Sequence, residues 1–251
     1  IRTMSFKKWI GSGLGWAFGG PIGGVIGFAI GAMLDHMQPQ SRLEEGDTRY
    51  RRTTQSTTGG DLTMSLVVLT AALMKADGKV TQRELDHVRQ FFSREFGAAQ
   101  AGQLLMVLRD VLKREIPVHD VCEQIRQNMP HAVRLQLMHY LIGLANADGS
   151  VDRSEFDMLR RIGHGMGISD KDLGSLSAMF RTSDPTSAYK ILEIEPTATD
   201  DEVKKAYRHM AKKYHPDKVA QLGEDVQKSA TEKFKKVQEA YETIQKKRGM
   251  N

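Results

Sequence analysis

The sequence predicts an all-α protein. Apolar residues recur at three- and four-residue spacing along most of the chain, and no stretch shows a convincing period-two alternation. Helix-starting signals precede the apolar runs, as at Thr81 with Glu84 and Asp152 with Glu155. The 251 residues suffice for one or two modest domains with an appendage. Net charge is +5, but the charges are mixed, no basic patch is interleaved with aromatics, and only two Trp occur. No nucleic-acid partner is implied. Cys122 is the sole cysteine, which excludes an intramolecular disulfide and a cysteine-based zinc site. It shares a helical stripe with Val118, Val121 and Ile125, and a buried, inert thiol is expected there.

After a flank at residues 1–8, residues 9–34 contain no charged side chain. A helix of this length spans about 39 Å, more than the roughly 30 Å hydrocarbon layer, so a tilted membrane helix is expected. Lys7, Lys8 and Trp9 suit one interface, Asp35 and His36 the other. Gly11, Gly15, Gly19, Gly23, Gly27 and Gly31 recur every fourth residue. On a helix they draw a stripe without side chains, along which a second copy can approach, so self-association into a homodimer is expected. Pro21 is expected to kink the span, and a re-entrant hairpin turning near Gly19-Gly20-Pro21 is the alternative. Arg42, Arg49, Arg51 and Arg52 beyond the span favour a cytoplasmic C-terminus weakly.

Residues 35–60 are polar and end in Gly59-Gly60, which reads as a linker. From 61 to 181 the pattern is helical throughout, with about seven helices. Leu66, Leu69, Leu73 and Met74 form one apolar face; Leu104, Leu105, Leu108, Val111 and Leu112 a second; Leu135, Met138, Leu141, Ile142 and Ala145 a third. The stretch contains a repeat: Ala76-Asp77-Gly78-Lys79-Val80 matches Ala147-Asp148-Gly149-Ser150-Val151, and each is followed by a glutamate, Glu84 or Glu155. The metal reading takes Asp77, Glu84, Asp148 and Glu155 as ligands of a metal-responsive stress module. However, Leu73, Lys75, Leu144 and Asn146 stand where a calcium loop needs its first oxygens. Capping boxes at Thr81/Glu84 and Asp152/Glu155 are favoured, with no metal and no cofactor.

Residues 182–251 form a third unit. Ala188 to Leu192 is a short first helix, and Asp200, Asp201 and Glu202 suit the start of a second. Val203, Tyr207, Met210, Ala211 and Tyr214 make its apolar stripe, while Lys204, Lys205, Arg208, His209, Lys212 and Lys213 fill the other side. His215-Pro216-Asp217 ends it, because proline cannot continue the helix. After a loop at residues 218–229, Ala230, Phe234, Val237, Tyr241 and Ile244 line a third helix, antiparallel to the second. A histidine, a rigid proline and a carboxylate at such a corner make a recognition surface, not a catalytic centre, and no phosphate-binding Gly-x-x-x-x-Gly-Lys-Ser loop is present.

The middle stretch, with its duplicated Asp-Gly signature, resembles the all-helical tellurite-resistance TerB family. The segment from Asp201 to Lys218, with Tyr189, Leu192, Phe234, Ala240 and Tyr241, closely resembles the J-domain of the DnaJ co-chaperones. That resemblance implies that His215, Pro216 and Asp217 engage a DnaK-type chaperone ATPase. It also implies that the basic face (Lys204, Lys205, Arg208, Lys212 and Lys213) meets an acidic surface of that partner. The whole arrangement is similar to membrane-anchored DnaJ-like proteins of Gram-negative bacteria. It implies a non-enzymatic co-chaperone held in the bilayer of the inner membrane by a single span, with its C-terminal domains in the cytoplasm.

Overall fold

The computed structural model describes residues 20–26, 59–147, 151–180 and 186–250. Among these every regular element is helical. The middle domain comprises α1 (Gly59–Met74), α2 (Gln82–Phe96), α3 (Ala98–Leu112), α4 (Val118–Asn128), α5 (His131–Ala145), α6 (Arg153–Gly165) and α7 (Asp170–Ala178). The C-terminal unit comprises α8 (Ser187–Ile191), α9 (Asp200–Lys213), a 3-10 helix (Pro216–Leu222) and α10 (Glu224–Arg248). Gly59 and Gly60, expected to close the linker, belong to α1.

Two helices form the centre. α1 is buried from Gly60 to Met74, and α5 buries Val133 and nearly everything from Leu135 to Ala145. Both are apolar nearly all round, as a helix enclosed on every side must be. The remaining middle-domain helices contribute one-sided stripes, such as Leu104, Val107, Leu108 and Val111 of α3. Phe91, Phe92 and Phe96 of α2 gather about Tyr140 of α5, with ring centroids 5.7 Å apart for Phe96–Tyr140 and 6.3 Å for Phe91–Tyr140. Tilted and edge-on contacts of this kind suit the ring quadrupoles.

Cys122 is buried in α4, and burial pushes its thiol up to about 12, partly offset by Arg161, so no nucleophilic thiolate exists near neutrality. A Cβ at Gly165 would lie 2.8 Å from the Cβ of Cys122. The cysteine cannot swing that atom aside. Gly165→Ala is therefore expected to cost about 1–3 kcal/mol, read from urea melts.

Of the expected membrane span at 9–34, only 20–26 is among the described residues. Gly20 has φ of 72° and Pro21 follows it, so a helical segment opens where the sequence places a kink. The Ile22 N–H donates to Gln124 Oε1 of α4 at 2.9 Å. Among the described residues no helix is long and apolar enough to cross a membrane.

Both capping boxes are formed. The Thr81 hydroxyl accepts from the Glu84 N–H while the Glu84 carboxylate accepts from the Thr81 N–H; Asp152 and Glu155 repeat the pattern. Asp77 Oδ1 accepts from the Lys79 N–H at 2.9 Å, which tightens the first turn. Glu84 and Glu155 are thus engaged by backbone, and the described residues contain no cluster of three groups able to hold a metal. Asp148 lies outside them. Thr81→Ala or Asp152→Ala is expected to cost about 1 kcal/mol in thermal melts. Calcium is expected not to shift the wild-type midpoint; a shift would restore the metal reading.

Candidate partner-binding site

The corner is built by α9, the 3-10 helix and α10. Thr199 caps α9 through Glu202, and Val203, Met210 and Tyr214 bury its inner side. Tyr207 stacks on Tyr241 of α10 with ring centroids 4.3 Å apart and planes at 11°. At the far end of α10, Arg248 donates to the carbonyl of Pro196 at 2.7 Å, to that of Ala198 at 2.5 Å, and to Tyr189 Oη at 3.1 Å. One guanidinium thereby ties the first helix, the start of the second and the end of the third.

At the other end, Pro216 occupies the first turn of the 3-10 helix and His215 caps it. The Asp217 N–H donates to His215 Nδ1 at 3.3 Å, so that nitrogen carries no proton in this arrangement. The imidazole meets the ring edge of Phe234, with centroids 5.7 Å apart. The side chain of Asp217 is 81% exposed. A pinned histidine and a fixed proline therefore hold a carboxylate out in solvent. Lys205, Arg208 and Lys212 are exposed and Lys204 half-buried on α9.

Lys213 departs from that face. Its side chain is only 14% exposed, and its ammonium sits between Glu193 Oε1, at 2.6 Å, and Asp172 Oδ1 of α7 in the middle domain. Burial pushes the Asp172 carboxyl up, but hydrogen bonds from Lys213 and Ser169 outweigh it and hold the pKa below the usual carboxylate value. The expected loop at residues 218–229 is also ordered otherwise. The 3-10 helix buries Val219 and Leu222, Gly223 turns at φ 106°, and α10 begins at Glu224.

The buried stripe of α10 is Val226, Ala230, Lys233, Val237, Ala240 and Ile244, with Phe234 and Tyr241 half-buried beside it. Lys233 was not anticipated. Its ammonium donates to Gln136 Oε1 of α5 at 2.6 Å and lies 5.1 Å from the centre of the Tyr214 ring. Gln136 Nε2 donates in turn to Ser229 Oγ at 3.0 Å. A lysine three residues after Ala230 and four before Val237 was the available signal. Of the glycine stripe only Gly23 is described, and it is buried; Gly11, Gly15, Gly19, Gly27 and Gly31 lie outside the described residues.

The DnaJ domain matches residues 187–249, the unit that carries this corner, the tellurite resistance protein TerB matches 63–178, and the co-chaperone DjlA transmembrane domain matches 4–52. The chain is thus similar to DjlA co-chaperones and carries a DnaJ domain at its C-terminal end. It is 27% identical to the co-chaperone protein DjlA of Vibrio vulnificus over 214 residues, 70% of this chain and 74% of that one. The co-chaperone protein DjlA of Coxiella burnetii is 27% identical over 199 residues, 70% of this chain and 73% of its own. The chaperone protein DnaJ of Neisseria meningitidis is 54% identical over 59 residues, which cover 24% of this chain and 14% of that protein. No solved structure matches. The J-domain is therefore the C-terminal unit, and the TerB domain is the helical body on which it sits.

Proposed function

We propose that this DjlA-like chain is a co-chaperone that stimulates ATP hydrolysis by a DnaK-type chaperone. The observation that carries the reading is the exposed carboxylate of Asp217 on a pinned corner, beside the cationic face of α9. Lys204, Lys205, Arg208 and Lys212 attract an acidic surface of the ATPase, which speeds encounter and weakens as salt rises. Asp217 then pairs with a cation of the partner, Pro216 fixes the corner, and His215 orients it. The catalysis belongs to the partner, and the chain supplies no catalytic residue of its own.

In this reading the segment 9–34 leaves the contact of Ile22 with Gln124 and anchors the chain in the bacterial inner membrane as a single span. The glycine stripe joins two copies there. The TerB domain and the J-domain lie in the cytoplasm, where ATP-driven chaperones of this kind work. The test is single-turnover ATP hydrolysis by a purified DnaK-type chaperone, with the full chain in lipid nanodiscs. Faster turnover is expected in its presence, and an unchanged rate overturns the reading.

A further inference from the structure

The segment that bears the corner is anchored on both sides in the TerB domain. Before it, Lys213 is clasped by Asp172 of α7 and by Glu193, both largely buried, with the carboxylate of Asp172 only 7% exposed. Next to this clasp, Ser175 of α7 donates to the carbonyl of Ile191 at the end of α8, at 2.8 Å. After the corner, the 3-10 helix packs on α1 and α5 with Val219 and Leu222 buried. Between these two anchors, His215 and Asp217 remain in solvent. The contact thus leaves the recognition groups open while fixing the backbone that carries them.

We propose that Asp172 of the TerB domain is a positioning residue for the His-Pro-Asp corner, acting through Lys213. The inference rests on the co-chaperone reading above. Lys213 is the residue that joins α9 to Tyr214 and the corner. Holding its ammonium fixes where the helix ends, and so where Asp217 points. Without Asp172 the ammonium keeps one carboxylate of its two, and the corner samples positions in which it does not fit a partner. A partner that binds only the fitting position then sees its apparent affinity fall by the fraction of time spent elsewhere, while saturating amounts of the chain recover the full rate.

The experiment titrates the full chain in nanodiscs into a DnaK-type chaperone and reads the concentration for half-maximal stimulation and the maximal rate separately. Asp172→Asn is expected to raise the first about fivefold or more, with the second within twofold of wild type. Asp172→Glu, which keeps the charge, is expected to restore most of the loss. Asp172 also caps α7 with Ser169, so Ser169→Ala is the control: it weakens the same cap and removes the hydroxyl that donates to Asp172 Oδ2, but keeps the charge of Asp172 and its Oδ1 facing Lys213. It is expected to leave the half-maximal concentration unchanged. Amide exchange over residues 214–222 is expected to speed up in Asp172→Asn but not in Ser169→Ala.

A wild-type half-maximum in Asp172→Asn overturns the proposal. So does a lower one, which would make the contact a restraint instead of a support, and so does an equal shift in Ser169→Ala. If the wild-type chain stimulates no ATPase, the functional reading fails. The exchange comparison still decides whether Asp172 orders the corner, and unchanged protection in Asp172→Asn sinks that as well.

Discussion

Asp217→Asn is expected to reduce stimulation of a DnaK-type ATPase about thirtyfold or more, because it removes one charge from the ion pair proposed above with the partner. The fold is expected to be indifferent. The carboxylate is 81% exposed, and its near neighbour within the chain is His215 Nδ1, at 3.5 Å from Oδ2. The corner's own geometry uses the Asp217 backbone N–H, which asparagine keeps. Exposed substitutions of this kind move stability by about 0.5 kcal/mol or less. Single-turnover hydrolysis with wild type and variant reads the effect, and circular dichroism with thermal melts verifies the fold. Equal stimulation by both would remove Asp217 from the mechanism.

Lys233→Met is expected to stabilise the chain near neutral pH and to flatten its pH dependence. Lys233 is 4% exposed, and burial lowers its pKa to about 7. In the unfolded chain the ordinary value of 10.5 applies. Between those values the unfolded state holds a proton that the folded state has released, so stability rises with pH across the window. Below about 7 both states hold it and the slope vanishes. Cys122, Tyr140 and Tyr214, whose pKa values are raised by burial, act in the opposite direction only above their ordinary values of 9.0 and 10.0. His131 and His139, whose pKa values burial lowers, act in the same direction as the lysine but mostly below their ordinary value of 6.5, so urea melts at pH 7.0 and 8.5 read mainly the lysine. Wild type is expected to gain about 2 kcal/mol between them, and Lys233→Met little. Parallel curves would mean that Lys233 is hydrated in solution. The variant leaves Gln136 Oε1 without its donor, but Gln136 Nε2 keeps Ser229, so that loss is the smaller one.

Much of this architecture was legible in the residues. Apolar spacing marked the helices of the TerB domain and the inner faces of the J-domain, because each helix repeats its own buried side every three or four residues. The caps at Thr81 and Asp152 were legible because a capping box is entirely local. His215-Pro216-Asp217 was legible because a proline after a basic helix forces a corner. What escaped was the packing of one domain on the other. Asp172 and Lys213 are forty-one residues apart, and Gln136 and Lys233 ninety-seven. Helical periodicity says which residues share a face, but not which face meets a neighbouring domain. Lys213 therefore read as one more cation on a solvated helix. Lys233 escaped because a charged residue breaks the apolar pattern: Ala230, Val237 and Ile244 are buried as expected, but Lys233 and Ala240 complete the stripe where Phe234 and Tyr241, half-buried, were expected.

Arg248 carries a practical consequence. Its guanidinium is held by Pro196, Ala198, Asp200 and Tyr189, so the whole J-domain closes on a side chain in the last turn of its final helix. Trimming the chain after Lys247 would unfasten the module at the end opposite the corner, with no recognition residue touched. A reporter joined after this helix needs a spacer past Gly249, whose left-handed backbone already steers the chain off the helix axis.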